Sequence, residues 1–222
     1  MAQAPDAATL AWLPLVGAVV GGLAGGAALG VARVAPHPLA VVTAFALAIV
    51  LTGALHVDGF LDGCDAFFAS VDPARRLEIL RDPRHGTYAF AGGAVVGALW
   101  LAALWCVPVD ALPLGLACAA ASARLGAVAH ALVIPYGRAG EVTPAFAQRP
   151  PRWGLALDLV LVGALAVGLG VWRGVAVVVT AFVVAVAAAA FARVRLGGGM
   201  TGDAYGFAIV FAEVGALVAL AA

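Results

Sequence analysis

The stretch His56-Val57-Asp58-Gly59-Phe60-Leu61-Asp62-Gly63-Cys64-Asp65 sets three carboxylates and a histidine at the mouth of an otherwise apolar run. In a helix, Asp58, Asp62 and Asp65 stand at i, i+4 and i+7, which at ~100° per residue brings them within about 60° on one face. Three like charges so close repel one another, and in near-apolar surroundings their ionised forms need a compensating cation. Oxygen-only donors suit a hard divalent ion, Mg²⁺ in the first place. The alternative is a solvated loop rich in Asp and Gly; the scarcity of carboxylates elsewhere in the chain favours the metal site.

The apolar run beside this cluster is one of several. The chain has 222 residues, 64% hydrophobic and 11% charged, with a mean hydropathy of +1.08. A soluble domain of this size cannot hide so much apolar surface, so the fold class is all-α, a polytopic membrane helical bundle. Twelve Arg, no Lys and twelve acidic residues give zero formal charge, which offers no basic footprint for nucleic acid. Cys106 and Cys118 lie in apolar segments and read as small buried hydrophobes. A catalytic thiol at Cys64 has no His–Asn or His–Asp arrangement behind it. The first apolar run has no cationic stretch before it and no small-residue cleavage site, so it reads as a retained membrane helix rather than a signal peptide.

About seven spans are expected, approximately 12–32, 39–57, 88–107, 113–134, 154–172, 175–192 and 204–221. Together they make a single membrane-embedded domain over 1–222. Gly21-x-x-x-Gly25 and Gly22-x-x-x-Gly26 in the first span predict close helix–helix approach. Segments 58–87, 135–153 and 193–203 share one side and carry nine Arg, whereas the intervening loops carry only Arg33 and Arg173. The positive-inside rule therefore puts the nine, and the N-terminus, in the cytoplasm. Within 58–87, Asp72-Pro73 predicts a helix start with Asp72 as cap.

Two further polar clusters fall on that same side. Arg75, Arg76, Arg81, Arg84 and His85 accompany Asp82 and Gly86-Thr87; arginines near a metal-binding carboxylate set are what a diphosphate requires, although membrane anchoring accounts for some of them. Gly197-Gly198-Gly199-Met200-Thr201-Gly202-Asp203 opens the last span, where consecutive glycines and a helix N-terminus favour an anion. Asp203 either adds a metal ligand or caps that helix. Inside the spans, Arg124 and Glu213 suggest an ion pair between the fourth and seventh, while His130 and Asp158, near cytoplasmic ends, read as wet.

Three of these stretches together resemble the cobalamin synthase family, whose members are adenosylcobinamide-GDP ribazoletransferases. Its H-x-D-G-x-x-D-x-x-D appears as His56-x-Asp58-Gly59-x-x-Asp62-x-x-Asp65. Its second region looks like Arg76-x-x-Ile79-x-Arg81-Asp82-x-Arg84-x-Gly86-Thr87. Its closing G-G-x-T-G-D-x-x-G looks like Gly198-Gly199-Met200-Thr201-Gly202-Asp203-Ala204-Tyr205-Gly206, and Pro14-Leu15-Val16-Gly17 and Ser122-x-Arg124 also fit. Departures are Ala66 where the family has Gly, Arg81 where Lys is common, and no Arg-x-Pro pattern upstream. The resemblance implies transfer of the adenosylcobinamide-phosphoryl group from its GDP conjugate to α-ribazole or its 5′-phosphate, with release of GMP. It implies catalytic roles for His56, Asp58, Asp62 and Asp82, with His56 either the base for the hydroxyl or a group that orients an Asp. Phosphate contacts would come from Arg76, Arg81, Arg84, Gly198, Gly199 and Thr201, and the ligands of Mg²⁺ would be Asp58, Asp62, Asp65 and Asp203. It further implies a multi-pass protein of a bacterial inner membrane, in contact with lipid. A homo-oligomer, or association with other late enzymes of cobalamin synthesis, is compatible with it.

Two rivals make different demands. A CDP-alcohol phosphotransferase needs D-G-x-x-A-R followed by G-x-x-x-D-x-x-x-D, and here no Ala-Arg follows Asp58-Gly59 at that spacing. A transporter or channel predicts ionisable residues along a midplane path, whereas these cluster at one face.

Overall fold

The computed structural model describes residues 9–133 and 151–222, and every regular element among them is helical. Besides two short 3-10 helices, Leu10–Trp12 and Val109–Ala111, they are in chain order α1 (Leu13–Val31), α2 (His37–Leu51), α3 (Leu55–Phe68), α4 (Pro73–Ile79), α5 (Thr87–Trp105), α6 (Leu112–Val133), α7 (Arg152–Gly168), α8 (Val171–Arg195) and α9 (Gly202–Ala221). Five of them, α1, α5, α6, α8 and α9, are long and apolar enough to cross a membrane. The protein is a multi-pass membrane helical bundle. At 17 residues α7 measures about 26 Å, just short of a ~30 Å hydrocarbon core.

The bundle is built around α6, which is buried along almost its whole length against α1, α7, α8 and α9. Small side chains make this possible. A methyl group on Gly17 or Gly25 would lie 2.7 and 2.5 Å from the carbonyl oxygens of Ala120 and Leu112, so α1 packs its backbone directly on α6. The expected Gly21–Gly25 pairing is thus realised. The Gly22–Gly26 pairing is not, since nothing among the described residues comes within 4 Å of a side chain placed on Gly26.

The second expected span, 39–57, is not one helix. Its two parts, α2 and α3, meet at 88°. Gly53 and Ala54 both adopt left-handed backbone, with φ of 58° and 60°. For Ala this costs about 1 kcal/mol. The Thr52 hydroxyl donates back to the Ala48 and Ile49 carbonyls, and the Ala54 amide to Ile49, so the end of α2 is closed by local bonds. Among the described residues five helices are long and apolar enough to span, or six if the bent pair counts as one, and the expected span 154–172 forms the shorter α7.

The break frees α3 to cross the opening turns of α5 and α9. One side of α3 carries Phe60, Cys64 and Phe67, all buried. Phe60 and Phe67 pack on Phe207 of α9, with ring centroids 5.7 and 5.1 Å apart. Cys64 fills the space left by Gly92, where a methyl would meet its Sγ at 2.5 Å; the thiol is a packing group. The opposite side of α3 carries the carboxylates. Arg76 and Arg195 tie down its C-terminal end: Arg195 donates to the Phe67 and Ala69 carbonyls and Arg76 to Ala69 and to the Arg195 carbonyl.

Candidate active site

Asp58 and Asp62 converge on one point. His85, from the loop before α5, lies 3.9 Å from the Asp58 carboxylate through Nε2 and 3.4 Å from Asp62 through Nδ1. Asp58 is two-thirds exposed and Asp62 only 18% exposed, so the pair spans the step from solvent to protein. Asp203 approaches from α9, where Gly59 lets the helices touch: a methyl there would be 3.0 Å from the Asp203 Cα. The charges of Asp58, Asp203 and Asp65 all bear on Asp62, and His85 opposes them.

Asp65 has a different task. One of its oxygens accepts from the Gly86 amide and the other from the Ala89 amide at 2.9 Å. These are the orphan donors at the start of α5, which has no cap of its own. Asp65 thus caps a helix other than its own, on the same face as two of the other three expected ligands, Asp58 and Asp62, with the charge of the third, Asp203, bearing on Asp62 as its own does. Thr201 caps α9, accepting from Ala204 at 3.3 Å and donating to Asp203 Oδ2 at 3.4 Å. Asp72 caps α4 as its sequence predicts, accepting from Arg75 at 2.9 Å.

The expected phosphate clamp is only partly assembled. Arg76 is 6% exposed and gives both Nη groups to backbone carbonyls, while its Nε has no partner, so its observed role is structural. The Gly198 amide donates to Arg193 O at 2.9 Å and the Gly198 carbonyl accepts from Arg193 Nε, closing the end of α8. Gly197 and Gly198, at φ 77° and 126°, permit that reversal. Gly199 lies between this closure and the Thr201 cap. Arg81 and Arg84 are exposed in the loop before α5. Arg84 grips Asp82 through two parallel bonds of 2.9 and 2.8 Å. That bidentate pairing holds the Asp82 carboxyl down to about 2.

His56 sits on the inner side of α3. Its Nδ1 is 3.4 Å from an Arg124 Nη2; guanidinium has donors only, so this nitrogen accepts and the neutral ring carries its proton on Nε2. That geometry suits an orienting hydrogen bond more than a base. Arg124 also donates to Ala120 O at 2.9 Å and to Glu213 at 3.1 Å, which is the ion pair expected between these helices. His130 and Asp158 are not wet: both are buried, His130 against the Gly126 carbonyl and Asp158 with one oxygen unpartnered. The expected cytoplasmic segment 135–153, with Arg138 and Arg149, lies up to residue 150 outside the described residues.

Among the described residues no three His, Cys, Asp or Glu side chains stand close enough to enclose a metal ion by themselves. The donor chemistry nevertheless fits Mg²⁺, which keeps several waters and is commonly held by one or two carboxylates plus substrate phosphate oxygens.

A family model described as cobalamin-5-phosphate synthase matches residues 2–221. The chain is similar to an adenosylcobinamide-GDP ribazoletransferase of Deinococcus radiodurans, 37% identical over 216 residues that cover 92% of this chain and 72% of that protein. Relatives bearing the same name in Stutzerimonas stutzeri and Brucella ovis are 35% and 33% identical, covering 94% and 93% of this chain and 84% and 83% of theirs. No solved structure matches. With its motifs gathered at one end of the bundle and the match running almost end to end, the chain belongs to the cobalamin-5-phosphate synthase family.

Proposed function

We propose that this protein is an adenosylcobinamide-GDP ribazoletransferase: the ribazole hydroxyl attacks the phosphorus nearer the cobinamide, and GMP leaves. The observation that carries the reading is the meeting of two family motifs in space, Asp58 and Asp62 from one and Asp203 from the other, across the Gly59 contact. Phosphoryl transfer of this kind asks for positioning and charge neutralisation more than for covalent chemistry. Mg²⁺, when bound by Asp58 and Asp62 with Asp203 adjacent, would neutralise diphosphate charge and lower the cost of its development in the transition state. Arg81, Arg84 and His85 lie on the loop beside the carboxylates, where the two arginine charges favour a diphosphate and His85 reaches Asp58 and Asp62. Asp65 fixes where that loop enters α5, and thereby the reach of His85. His56 holds an oriented N–H, braced by Arg124.

The arginine asymmetry supports a cytoplasmic site in a bacterial inner membrane, since Arg75, Arg76, Arg81, Arg84, Arg193 and Arg195 gather at the end of the bundle where the carboxylates lie. The test is GMP release by purified protein given adenosylcobinamide-GDP, α-ribazole and Mg²⁺. No release under these conditions, with a folded protein, would refute the reading.

A further inference from the structure

Helices α1, α4, α5, α7 and α8 finish on their own backbone, with the capping amide donating back to a carbonyl of the last turn. Among the described residues no such bond closes α3. Its last carbonyls are taken instead by arginine side chains from two other elements. Arg195, the final residue of α8, donates through Nε to the Phe67 carbonyl at 2.6 Å and through Nη2 to the Ala69 carbonyl at 2.8 Å. Arg76 of α4 donates to the same Ala69 carbonyl and to the Arg195 carbonyl, both at 3.1 Å. Like charges this close oppose one another. What draws both to one place is the C-terminal end of α3, where carbonyl dipoles favour cations.

The parts of the carboxylate site all lead away from this junction. From it α3 runs back to Asp65, Asp62 and Asp58, and α4 runs on to the loop of Arg81, Arg84 and His85. Beyond Arg195 the chain reverses at Gly197 and Gly198, is closed by the Arg193–Gly198 bonds, and reaches the Thr201 cap and Asp203. Gly197 also lies against the start of α4, where a methyl on it would stand 3.5 Å from the Pro73 Cβ. We propose, resting on the ribazoletransferase reading above, that Arg195 is a positioning residue for that reaction. It fixes the end of α3 against the chain reversal that presents Asp203, and so sets how far the α3 carboxylates stand from the one on α9. Arg195 belongs to none of the three motifs, and its bonds go to backbone carbonyls, so it acts through α3 and not on the substrate. The rigid guanidinium fork suits the task, since two donors in one plane reach two carbonyls at once. The group lies over the Phe191 ring, 5.8 Å from its centroid, which limits the planes it can adopt.

Two readouts test this: uptake of Mn²⁺ together with GDP by the purified protein, measured by equilibrium dialysis, and kcat for GMP release with Mg²⁺. Removing a group that orients metal ligands commonly costs about tenfold or more in metal affinity or activity. Arg195→Met should therefore raise the Mn²⁺ concentration at half-uptake about tenfold, and lower kcat about tenfold. Arg195→Lys keeps the charge but offers a single nitrogen, so half-uptake should shift about two- to threefold. Should Arg195→Met fail to fold, that smaller shift carries the test. Gly25→Ala, which presses on the Leu112 carbonyl where α6 begins, should lower the melting temperature and leave both readouts within twofold. The proposal is overturned if a folded Arg195→Met keeps both readouts within twofold. It is equally overturned if Arg195→Lys matches the wild type, because charge alone would then suffice, or if Gly25→Ala shifts Mn²⁺ uptake as far as Arg195→Met does. A wild-type protein that takes up no Mn²⁺ overturns it too. Absence of GMP release by a wild-type protein that does take up Mn²⁺ overturns the transferase reading alone, and the shift in half-uptake still decides the role of Arg195.

Discussion

Consider the replacement of either partner of the Arg124–Glu213 pair. Their side chains are 4% and 15% exposed and meet at 3.1 Å within the bundle. Arg124→Met leaves Glu213 charged and unpaired, and Glu213→Gln does the same to Arg124. An unpaired charge in a membrane helix costs about 2.5–3.5 kcal/mol, which overlaps the ~3–5 kcal/mol lost when a buried pair is broken from one side. The expected loss is thus about 3 kcal/mol for each single variant. The exchange Arg124→Glu with Glu213→Arg restores the pair but forfeits the bonds to the Ala120 carbonyl and to His56. At about 1 kcal/mol each, the exchange should cost about 2 kcal/mol, less than either single change. Equilibrium unfolding in mixed detergent micelles, followed by tryptophan fluorescence, measures all three. An exchange as damaging as the singles, or singles that cost under 1 kcal/mol, would refute the pairing as a contribution to the fold.

Other outcomes follow from the site and the packing. Asp58→Asn and Asp62→Asn should each lower GMP release at least a hundredfold, and chelation of divalent metal should abolish it; full activity in either variant would reject the ligand assignment. Asp65→Asn should instead show itself in stability, by about 1–2 kcal/mol through the lost charged cap on α5, read as a lower melting temperature. Gly25→Leu should prevent assembly of α1 on α6, whereas Gly26→Leu should leave melting unchanged within about 0.5 kcal/mol; equal effects would contradict the contact described. The Asp82 carboxyl, depressed to about 2 from its usual ~3.9, should keep its grip on Arg84 at every pH above about 4 and lose it as pH falls through 2. A side-chain carboxyl NMR titration with a midpoint near 4 would show that the pairing is absent.

The sequence was most readable where one residue does one local job. Hydropathy marks α1, α5, α6, α8 and α9, Asp72-Pro73 marks the start of α4, and the i, i+4, i+7 spacing marks the polar face of α3. The corner at Gly53-Ala54 was hidden because its left-handed alanine is held by local hydrogen bonds of the backbone and Thr52, which leave only a single glycine as a trace. The structural partners of Asp65 and Arg76 were hidden for a related reason. A carboxylate or guanidinium in a motif looks the same whether it meets a ligand or an amide of another helix, and the partners of these two lie 24 and 119 residues away. The reach of α3 onto α9 was likewise invisible until Gly59 and Asp203 were seen in contact. Gly198 carried a signal that pointed two ways, since the same glycine geometry serves an anion or a helix end.

The corner between α2 and α3 has a consequence for how the protein is made. A 15-residue helix of about 22 Å is too short to span a ~30 Å core alone, and α3, turned across the bundle, does not extend it in line. Neither piece is a self-sufficient membrane segment. The helix on which α3 packs most extensively is α9, translated more than a hundred residues later. The carboxylates of the acidic helix therefore have Asp203 beside them only once α9 has been made. Catalytic competence is in this way tied to complete translation: a chain interrupted before α9 keeps two of its aspartates and has no floor on which to set them.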